Sequence, residues 1–574
     1  MIGKTMFRGT KIASVAAILI VSVPASAADR WTRLSSPNLE LYTTAGEKEG
    51  RNTILHFERV REFFQQASPV RSQGDLPVRI VQFDTEAQYR PFRPGDHVAA
   101  YFTETPERDY IVMGDRASED FGPATHEYTH LVVRRSGFRV PVWLNEGWAE
   151  VFSTLRPMGK DMAVGDLLPE RMKALAAEKW MDFDELTAVD THSAAYHEAS
   201  RVGIFYAESW ALVHMLFLSP EYKDDFGKFV TALNGGKTSR EACEVAFGKS
   251  SSRVFEDLQT YFVRKKIFGT VFETRLDKRE AEVQATAVSN FDARLMLADL
   301  TAARGKADEA RLEYAKLEAE APGRADLLES IGNLAFDSHD KATAQTYFER
   351  AYAAGNADPR VYYRLAMLDV EAKMPPSVII PILERAVAAR PDFTDAKLRL
   401  GLLKAAARDF AGSVQMLESI PVVTPQMAPS LFCMLALGQI QTGDLSAARQ
   451  SLESCRKWAK TPEQSQLSGR IGKFVEARLA PAAGVHRGEQ LTHVTGIARS
   501  VECSGDGNRL HIFAGDKVVV FDLPGLDAVE LPSNPRNAAS FECGPMRPIG
   551  IGVEFAPPPS AKETSVGIVR RLDY

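Results

Sequence analysis

A repeat of about 34 residues is the feature that most constrains how this 574-residue chain can fold. From about residue 290, small residues recur 34 or 35 positions apart, and a second small residue and then a large one follow in most copies. Small residues let two helices approach closely, and large residues fill the next layer. The pattern therefore predicts stacked helix pairs. The three sets are Ala298, Gly332, Ala366, Gly401 and Ala436; Ala310, Ala344, Ser413 and Ala448; and Tyr314, Phe348, Leu383, Leu417 and Leu452.

This repeating pattern resembles the tetratricopeptide repeat, in five copies over residues 290–480 with a capping helix at 463–479. Prolines close three copies, and Pro375-Pro376 makes the turn of the third irregular. A generic helical bundle would not need a fixed period. The resemblance implies an α-helical solenoid whose concave face binds a protein partner, although a structural spacer is the alternative.

The second organising feature is the stretch His126-Glu127-Tyr128-Thr129-His130. Pro123 and Gly137 predict a helix between them, and residues four apart on a helix share one face. Neutral imidazole suits Zn²⁺, so His126 and His130 make half of a metal site. Glu127, beside the first histidine, can accept a proton from an attacking water.

Asn145-Glu146-Gly147-Trp148-Ala149-Glu150 supplies the other half of the predicted site. It lies in a second helix after a short turn. Glu146 can fold back as a third ligand and leave a fourth position open, which is typical of catalytic rather than structural zinc sites. Glu150, one turn later, can accept the second N–H of a ligating histidine.

Together the two stretches resemble the gluzincin metallopeptidases, and more narrowly the peptidase MA-like domains that are often fused to tetratricopeptide repeats. The resemblance covers roughly residues 30–270. It implies an α+β zincin-like fold, zinc ligands His126, His130 and Glu146, and Glu127 as general base. Fifteen residues separate His130 from Glu146, fewer than in the best-known members, which keeps Glu150 open as an alternative ligand.

The predicted helical segment Val202–Leu218 contains a candidate for the group that stabilises the oxyanion of the tetrahedral intermediate. In many gluzincins a tyrosine at a comparable place donates this hydrogen bond, which points to Tyr206. Tyr196 is the alternative, and a core tyrosine with a satisfied hydroxyl is the simpler interpretation of Tyr206. We expect His192, His197 and His214 to be structural or exposed rather than ligands.

The chain before the histidine helix alternates strands and helices. We expect strands at 39–42, 78–83, 98–102 and 110–113, and a helix at 48–66. In gluzincins a strand before the histidine helix borders the cleft. The resemblance implies that substrate backbone adds to that edge, while a plain structural hairpin is the alternative.

Residues 1–27 have the composition of a signal peptide, with three basic residues, an apolar run and a final Ala25-Ser26-Ala27. A retained N-terminal anchor is the alternative. No later run of eighteen apolar residues occurs, so we expect no membrane span after cleavage and a periplasmic or secreted protein.

All five cysteines follow this segment. In an oxidising compartment the count fits two disulfides and one free thiol. Cys503 with Cys543 is the expected pair of the last domain. Cys433 and Cys455 lie on the two helices of the fifth repeat, where a bond would staple one hairpin.

The sequence thus predicts a multidomain protein: a signal peptide at 1–27, the metallopeptidase domain at 28–275, repeats at 290–480 and a small all-β barrel or sandwich at 485–574. No basic block points to nucleic acid, because the net charge is −6 and cationic residues are scattered. The expected activity is zinc-dependent hydrolysis of peptide bonds in a peptide or protein substrate. A non-catalytic periplasmic scaffold with a peptidase-like fold is the alternative, but such a scaffold has no need of Glu127.

Overall fold

The computed structural model describes most of the chain and divides it into two compact units, Met1–Leu334 and Ala335–Tyr574. The predicted signal peptide and Tyr196 lie outside the described residues. In the described part of the chain, no helix has the length and apolarity needed to cross a membrane. The described ranges are 30–66, 78–115, 120–193, 199–263, 269–274, 282–479, 490–504, 507–525, 529–531, 541–558 and 565–574.

A six-stranded mixed sheet is the framework of the first unit. Its strand order is β4-β5-β3-β2-β1-β9. Strands β2, β3 and β5 run parallel, whereas β4, β1 and β9 each pair antiparallel with a neighbour. The four predicted strands are all present, within two residues of their predicted ends. The strands are β1 (Thr32–Ser35), β2 (Leu39–Thr43), β3 (Val78–Gln82), β4 (Ala100–Glu104), β5 (Asp109–Met113) and β9 (Gln284–Ala287).

Two details of this sheet differ from expectation. The strand that leads into the histidine helix, β5, lies inside the sheet, and β4 forms the edge instead. The last strand, β9, comes from beyond residue 275, where the predicted domain ends, and pairs with β1. A three-stranded sheet accompanies the framework, made of β6 (Arg156–Met158), β7 (Asp161–Val164) and β8 (Thr270–Phe272).

Most helices of the first unit contribute to the main core, which covers one face of the large sheet. The first helix buries the apolar side chains of Ile54, Phe57, Val60, Phe63 and Phe64 in the main core, with Leu55 partly buried against it. The helices are α1 (Gly46–Gln66), α2 (Glu86–Tyr89), α3 (Gly122–Arg135), α4 (Val142–Phe152), α5 (Pro169–Ala177), α6 (Phe183–Thr187), α7 (Ala199–Leu218), α8 (Phe226–Asn234), α9 (Ser239–Phe247) and α10 (Ser251–Val263).

The first repeat helix, α11 (Asn290–Ala303), covers the other face of the sheet. Its residues Ala293, Met296 and Leu300 pack with sheet residues that include Val81 and Val112. A second stripe of the same helix faces the hairpin partner α12 (Ala307–Glu320). Offset stripes at helical spacing let one helix serve two cores.

The predicted helical repeat is confirmed over residues 290–479. Each hairpin turn contains a residue with positive φ, at Gly305, His339, Lys373, Arg408 and Gly443, again 34 or 35 positions apart. The helices after α12 are α13 (Ala325–Asp337), α14 (Lys341–Ala353), α15 (Pro359–Glu371), α16 (Pro376–Ala389), α17 (Thr394–Ala406), α18 (Phe410–Glu418), α19 (Ala428–Thr442), α20 (Leu445–Trp458) and α21 (Pro462–Leu479).

The fourth hairpin shows why the repeat alternates small and large residues. A Cβ atom at Gly401 would lie 2.5 Å from Cδ2 of Leu417, so the large residue occupies the space that the small one leaves. The third turn was expected to be irregular at Pro375-Pro376, but it has the same left-handed residue as the others, Lys373, and Pro376 is the first residue of α16, where a proline is tolerated. A disulfide joins Cys433 to Cys455 across the fifth hairpin, as predicted.

The C-terminal strands form a closed barrel in the order β10-β11-β12-β14-β13. The sequence left a barrel or a sandwich open. All neighbours are antiparallel except β12 and β14, which is the arrangement of the OB barrel. The predicted bond between Cys503 and Cys543 links the end of β10 to the residue before β13. The strands are β10 (Thr492–Ser504), β11 (Gly507–Ala514), β12 (Lys517–Leu523), β13 (Gly544–Ala556) and β14 (Ile568–Asp573).

Candidate metal centre

Helix α3 carries the paired histidines on a firmly packed segment. It begins at Gly122 with Pro123 in its first turn, and Gly137, with φ of 72°, follows its end as predicted. Its buried side chains include Tyr128 and Leu131, which face the main core. Near its start, the buried His56 of α1 hydrogen-bonds Thr125 at 3.1 Å. These contacts leave one face of the helix, with its two histidines, to the site.

His126, His130 and Glu146 form the one possible metal-ligand cluster found among the described residues. The two Nε2 atoms are 3.1 Å apart. Oε2 of Glu146 lies 3.6 Å from Nε2 of His126 and 3.5 Å from Nε2 of His130. A tetrahedral zinc site with bonds of about 2.0–2.1 Å separates its ligand atoms by about 3.3–3.4 Å. The three donors therefore already have spacings close to those of a zinc site.

The electrostatics of the cluster are those of a carboxylate facing imidazoles. Burial alone would raise the pKa of Glu146, but the two neighbouring imidazoles outweigh burial and lower it. Burial likewise opposes the charged form of His130, while Glu146 raises its pKa above the usual value. A negative oxygen between two nitrogen donors is a site that a divalent cation can occupy.

Each imidazole also has an acceptor at its other nitrogen. Oδ1 of Asn145 is 3.2 Å from Nδ1 of His130, and Oε1 of Glu150 is 3.6 Å from Nδ1 of His126. Such acceptors orient the rings and select the tautomer that leaves Nε2 free for a metal. Glu150 is itself held by Arg171, whose Nε and Nη2 donate to its two oxygens at 2.8 and 2.7 Å.

This arrangement bears on the choice between the two candidate carboxylates. Glu146 presents an oxygen to both Nε2 atoms, whereas Glu150 lies on the Nδ1 side of His126 and is occupied by Arg171. The geometry therefore favours Glu146 as the ligand and Glu150 as an orienting group. Asn145 and Arg171 were not singled out from the sequence. Asn145 could have been identified from the sequence, because it directly precedes a predicted ligand. No sequence feature pointed to Arg171.

Glu127 lies beside the cluster and is fixed by the edge strand. Its Oε2 accepts a hydrogen bond from the backbone N–H of Phe102 at 3.0 Å. Burial raises the pKa of Glu127, although the neighbouring histidines and this N–H oppose the shift. A carboxylate with a raised pKa is a better proton acceptor than an exposed one.

Tyr206 reaches the same region from α7, with its ring 5.3 Å from the guanidinium carbon of Arg171. Helix α7 packs tightly on α4 at Gly147, where an added Cβ would be 2.4 Å from the carbonyl oxygen of Ser209. The close crossing is what brings the helix of Tyr206 next to the helix of Glu146.

The remaining candidates lie elsewhere or outside the description. His214 is buried and hydrogen-bonds the hydroxyl of Tyr261 and the carbonyl of Gly165, as expected of a structural histidine. His192 is exposed in a turn. His197 and Tyr196 fall in the stretch 194–198, outside the described residues.

No protein-family model and no curated protein matches this chain. Among solved structures it is similar to YrrB, described as a TPR protein with an unusual peptide-binding site, at 18% identity and a TM-score of 0.27 over 31% of this chain and 90% of that one. MamA matches at 16% identity and a TM-score of 0.23, covering 32% of this chain and 98% of its own. PilW, a type IV pilus biogenesis factor, matches at 15% identity and a TM-score of 0.24, covering 34% of this chain and 93% of its own. These values identify neither a family nor a function.

Proposed function

We propose that this protein is a zinc-dependent peptidase that hydrolyses peptide bonds in a peptide or protein substrate. The observation that carries the proposal is the spacing of 3.1 to 3.6 Å among Nε2 of His126, Nε2 of His130 and Oε2 of Glu146. A carboxylate base next to these donors distinguishes a hydrolytic site from a purely structural one.

The donor set fits zinc. Two neutral imidazoles and one carboxylate are the ligands of a known class of catalytic zinc sites that keep one position for water or substrate. The imidazole side chains are 16% and 17% exposed, so the site opens to solvent, while Glu146 is 4% exposed. When bound, zinc would supply Lewis acidity, polarising the substrate carbonyl and favouring ionisation of water.

We assign the protein groups the following roles. Glu127 takes the proton of the attacking water on its carboxylate and returns it to the leaving nitrogen. Glu150 and Asn145 hold the rings of His126 and His130 in the ligating orientation. Tyr206 donates a hydrogen bond to the developing oxyanion, a contribution that is typically worth about 3 kcal/mol.

The helical repeats support a second element of the proposal. Stacked helix pairs in repeat proteins offer binding surfaces, so we assign the array to binding of a protein partner or of the substrate protein. The sequence of residues 1–27 supports export, with the periplasm or the extracellular space as the place of action. A non-catalytic scaffold remains the competing function, and metal analysis separates the two.

The test is zinc content. Purified protein should hold about one zinc per chain, and His126→Ala and Glu146→Gln should each lose it. Glu150→Gln is the matched control: it should keep zinc, with an affinity about 10- to 100-fold weaker, because it loses only the contact that orients His126. Full retention in Glu146→Gln with loss in Glu150→Gln would reverse the assignment. A wild-type protein that binds no zinc and cleaves nothing would favour the scaffold.

A further inference from the structure

The C-terminal end of the first repeat helix contacts the strand that borders the candidate site. In the edge strand β4, the hydroxyl of Thr103 donates to the carbonyl oxygen of Ala303, the last residue of α11, at 3.1 Å. The next residue, Arg304, has its guanidinium carbon 6.0 Å from the ring centroid of Tyr101, also in β4.

The same arginine fastens the segment that precedes β4. Its Nη1 and Nη2 donate to the carbonyl oxygens of Pro91 and Arg93, each at 3.1 Å. Charged donors on backbone carbonyls make hydrogen bonds that are stronger than neutral ones. Arg304 therefore ties the end of a repeat helix to two parts of the sheet domain.

Strand β4 is held between two layers. Because side chains alternate along a strand, Ala100 packs in the core that contains α3, and Tyr101 packs in the cluster that contains Met296 and Leu300 of α11. Among the described strands, β4 lies at the edge and has a backbone ladder on one side, with β5. Edge strands with one ladder depend on packing to stay in register.

The free side of β4 is the side that meets the catalytic base. The N–H of Phe102 donates to Oε2 of Glu127, and its two neighbours in β4, Tyr101 and Thr103, are the residues that contact the repeat. A displacement of β4 would carry this N–H away from the carboxylate. Misplacement of a reacting group by about 1 Å can cost on the order of 100-fold in rate.

We propose that Arg304 is a positioning residue for Glu127, acting through β4, and that the first repeat is thereby part of the catalytic unit. The proposal rests on the proposed peptidase function for its rate effect, but not for its structural effect. It gives the repeat array a role in the reaction that is separate from partner binding.

The experiment compares full-length wild type with Arg304→Ala and with Thr103→Val, which removes one hydrogen bond at nearly constant shape. Deuterium exchange of the amides in 100–104 should be about tenfold faster in both variants. kcat should fall about tenfold while zinc content stays at the wild-type level, because Arg304 and Thr103 hydrogen-bond Pro91, Arg93 and Ala303 rather than the proposed zinc ligands. Arg304→Lys, which keeps a cationic donor, should recover part of the rate.

Arg294→Ala is the matched control, because Arg294 lies on the same helix and pairs with Glu313 and Glu320 of α12. It should leave exchange in 100–104 and kcat unchanged. Wild-type exchange in both test variants would overturn the proposal, as would equal kcat losses in Arg304→Ala and Arg294→Ala. If wild type cleaves nothing, the proposed function fails by itself. The exchange data still decide whether the repeat holds β4.

Discussion

Gly147 lies where α4 packs on α7 with no room for a side chain. In Gly147→Ala the new Cβ would lie 2.4 Å from the carbonyl oxygen of Ser209 and 2.5 Å from Cγ2 of Val213, so the helices must separate. We expect a loss of about 1–3 kcal/mol in the free energy of unfolding and zinc affinity about tenfold weaker, because Glu146 moves with the helix.

Thermal unfolding and chelator competition measure the two effects of Gly147→Ala. Gly227→Ala in α8 is the control, since a Cβ there meets nothing within 4 Å. That change should stabilise the helix by up to about 1 kcal/mol and leave zinc affinity unchanged. Wild-type stability and zinc affinity in Gly147→Ala would contradict this account of the crossing.

The raised pKa of the Glu208 carboxyl group makes the free energy of unfolding depend on pH. It is fully buried in α7, and burial raises its pKa from 4.5 to about 8, against the N–H of Met181 that donates to it. Between these values the native state keeps a proton that the unfolded chain releases, so the free energy of unfolding falls as pH rises. The loss should be on the order of 3 kcal/mol.

Urea unfolding at pH 5 and pH 8, followed by tryptophan fluorescence, measures this loss. Five of the six tryptophans, all except Trp458, precede residue 335, so the signal reports mainly on the first unit. Glu208→Gln should show a smaller loss, because the amide does not titrate. An equal loss in both proteins would show that Glu208 ionises normally.

At the residue scale, local spacing explains what the sequence could predict. His126, Glu127 and His130 share one short helix, so their proximity follows from helical geometry alone. Arg171 could not be predicted, because it meets Glu150 from 21 residues away and only through the packing of separate helices.

The elements of the repeat contain strain that can be relieved. The hairpin turns have φ of 62° at His339 and 64° at Arg408, but glycine occupies the same place at Gly443, with φ of 87°. A left-handed residue with a side chain costs roughly 1–2 kcal/mol, which exceeds the entropic cost of glycine. Arg408→Gly should therefore stabilise the protein by about 0.5–1 kcal/mol.

The reciprocal change, Gly443→Ala, should destabilise by about 1 kcal/mol, because alanine must adopt the same left-handed conformation. The midpoints of thermal unfolding of the two variants should shift in opposite directions. A lower midpoint for Arg408→Gly would show that the arginine side chain contributes more than the turn conformation costs.

At the element scale, strand identities and helix periodicity were readable from the sequence, but strand order was not. The sequence predicted strands at 98–102 and 110–113, and left open whether they form a plain hairpin; the structure pairs the two as antiparallel neighbours. Which of the two lies at the edge depends on the parallel pairing of β3 with β5, a contact between distant residues that leaves no local pattern.

At the scale of the whole molecule, the boundary between the sheet domain and the repeats is a packed interface rather than a linker. The apolar stripe of α11 covers Val81, Phe83, Tyr101 and Val112 on the sheet. Sequence periodicity correctly assigned α11 to the repeat. The period does not indicate which surface the outer face of this first copy covers. Terminal repeats need such cover because they lack a neighbour on one side.

A fragment ending at residue 289 should therefore be unstable, because it exposes this apolar face to water. A fragment ending at residue 337 retains α11 and α12 and should unfold cooperatively. Thermal unfolding and light scattering of the two fragments measure the difference. A monomeric fragment ending at residue 289 with the same midpoint as the longer one would contradict the packing argument.

The central claim is that a zinc ion and Glu127 together hydrolyse peptide bonds, and Glu127→Gln tests it most directly. The change is nearly isosteric and removes only the proton acceptor, so zinc content and folding should match the wild type. Cleavage of the best peptide from an unbiased library should fall about 100-fold or more. Wild-type turnover in a zinc-loaded, folded Glu127→Gln protein would contradict the assignment of Glu127 as the base.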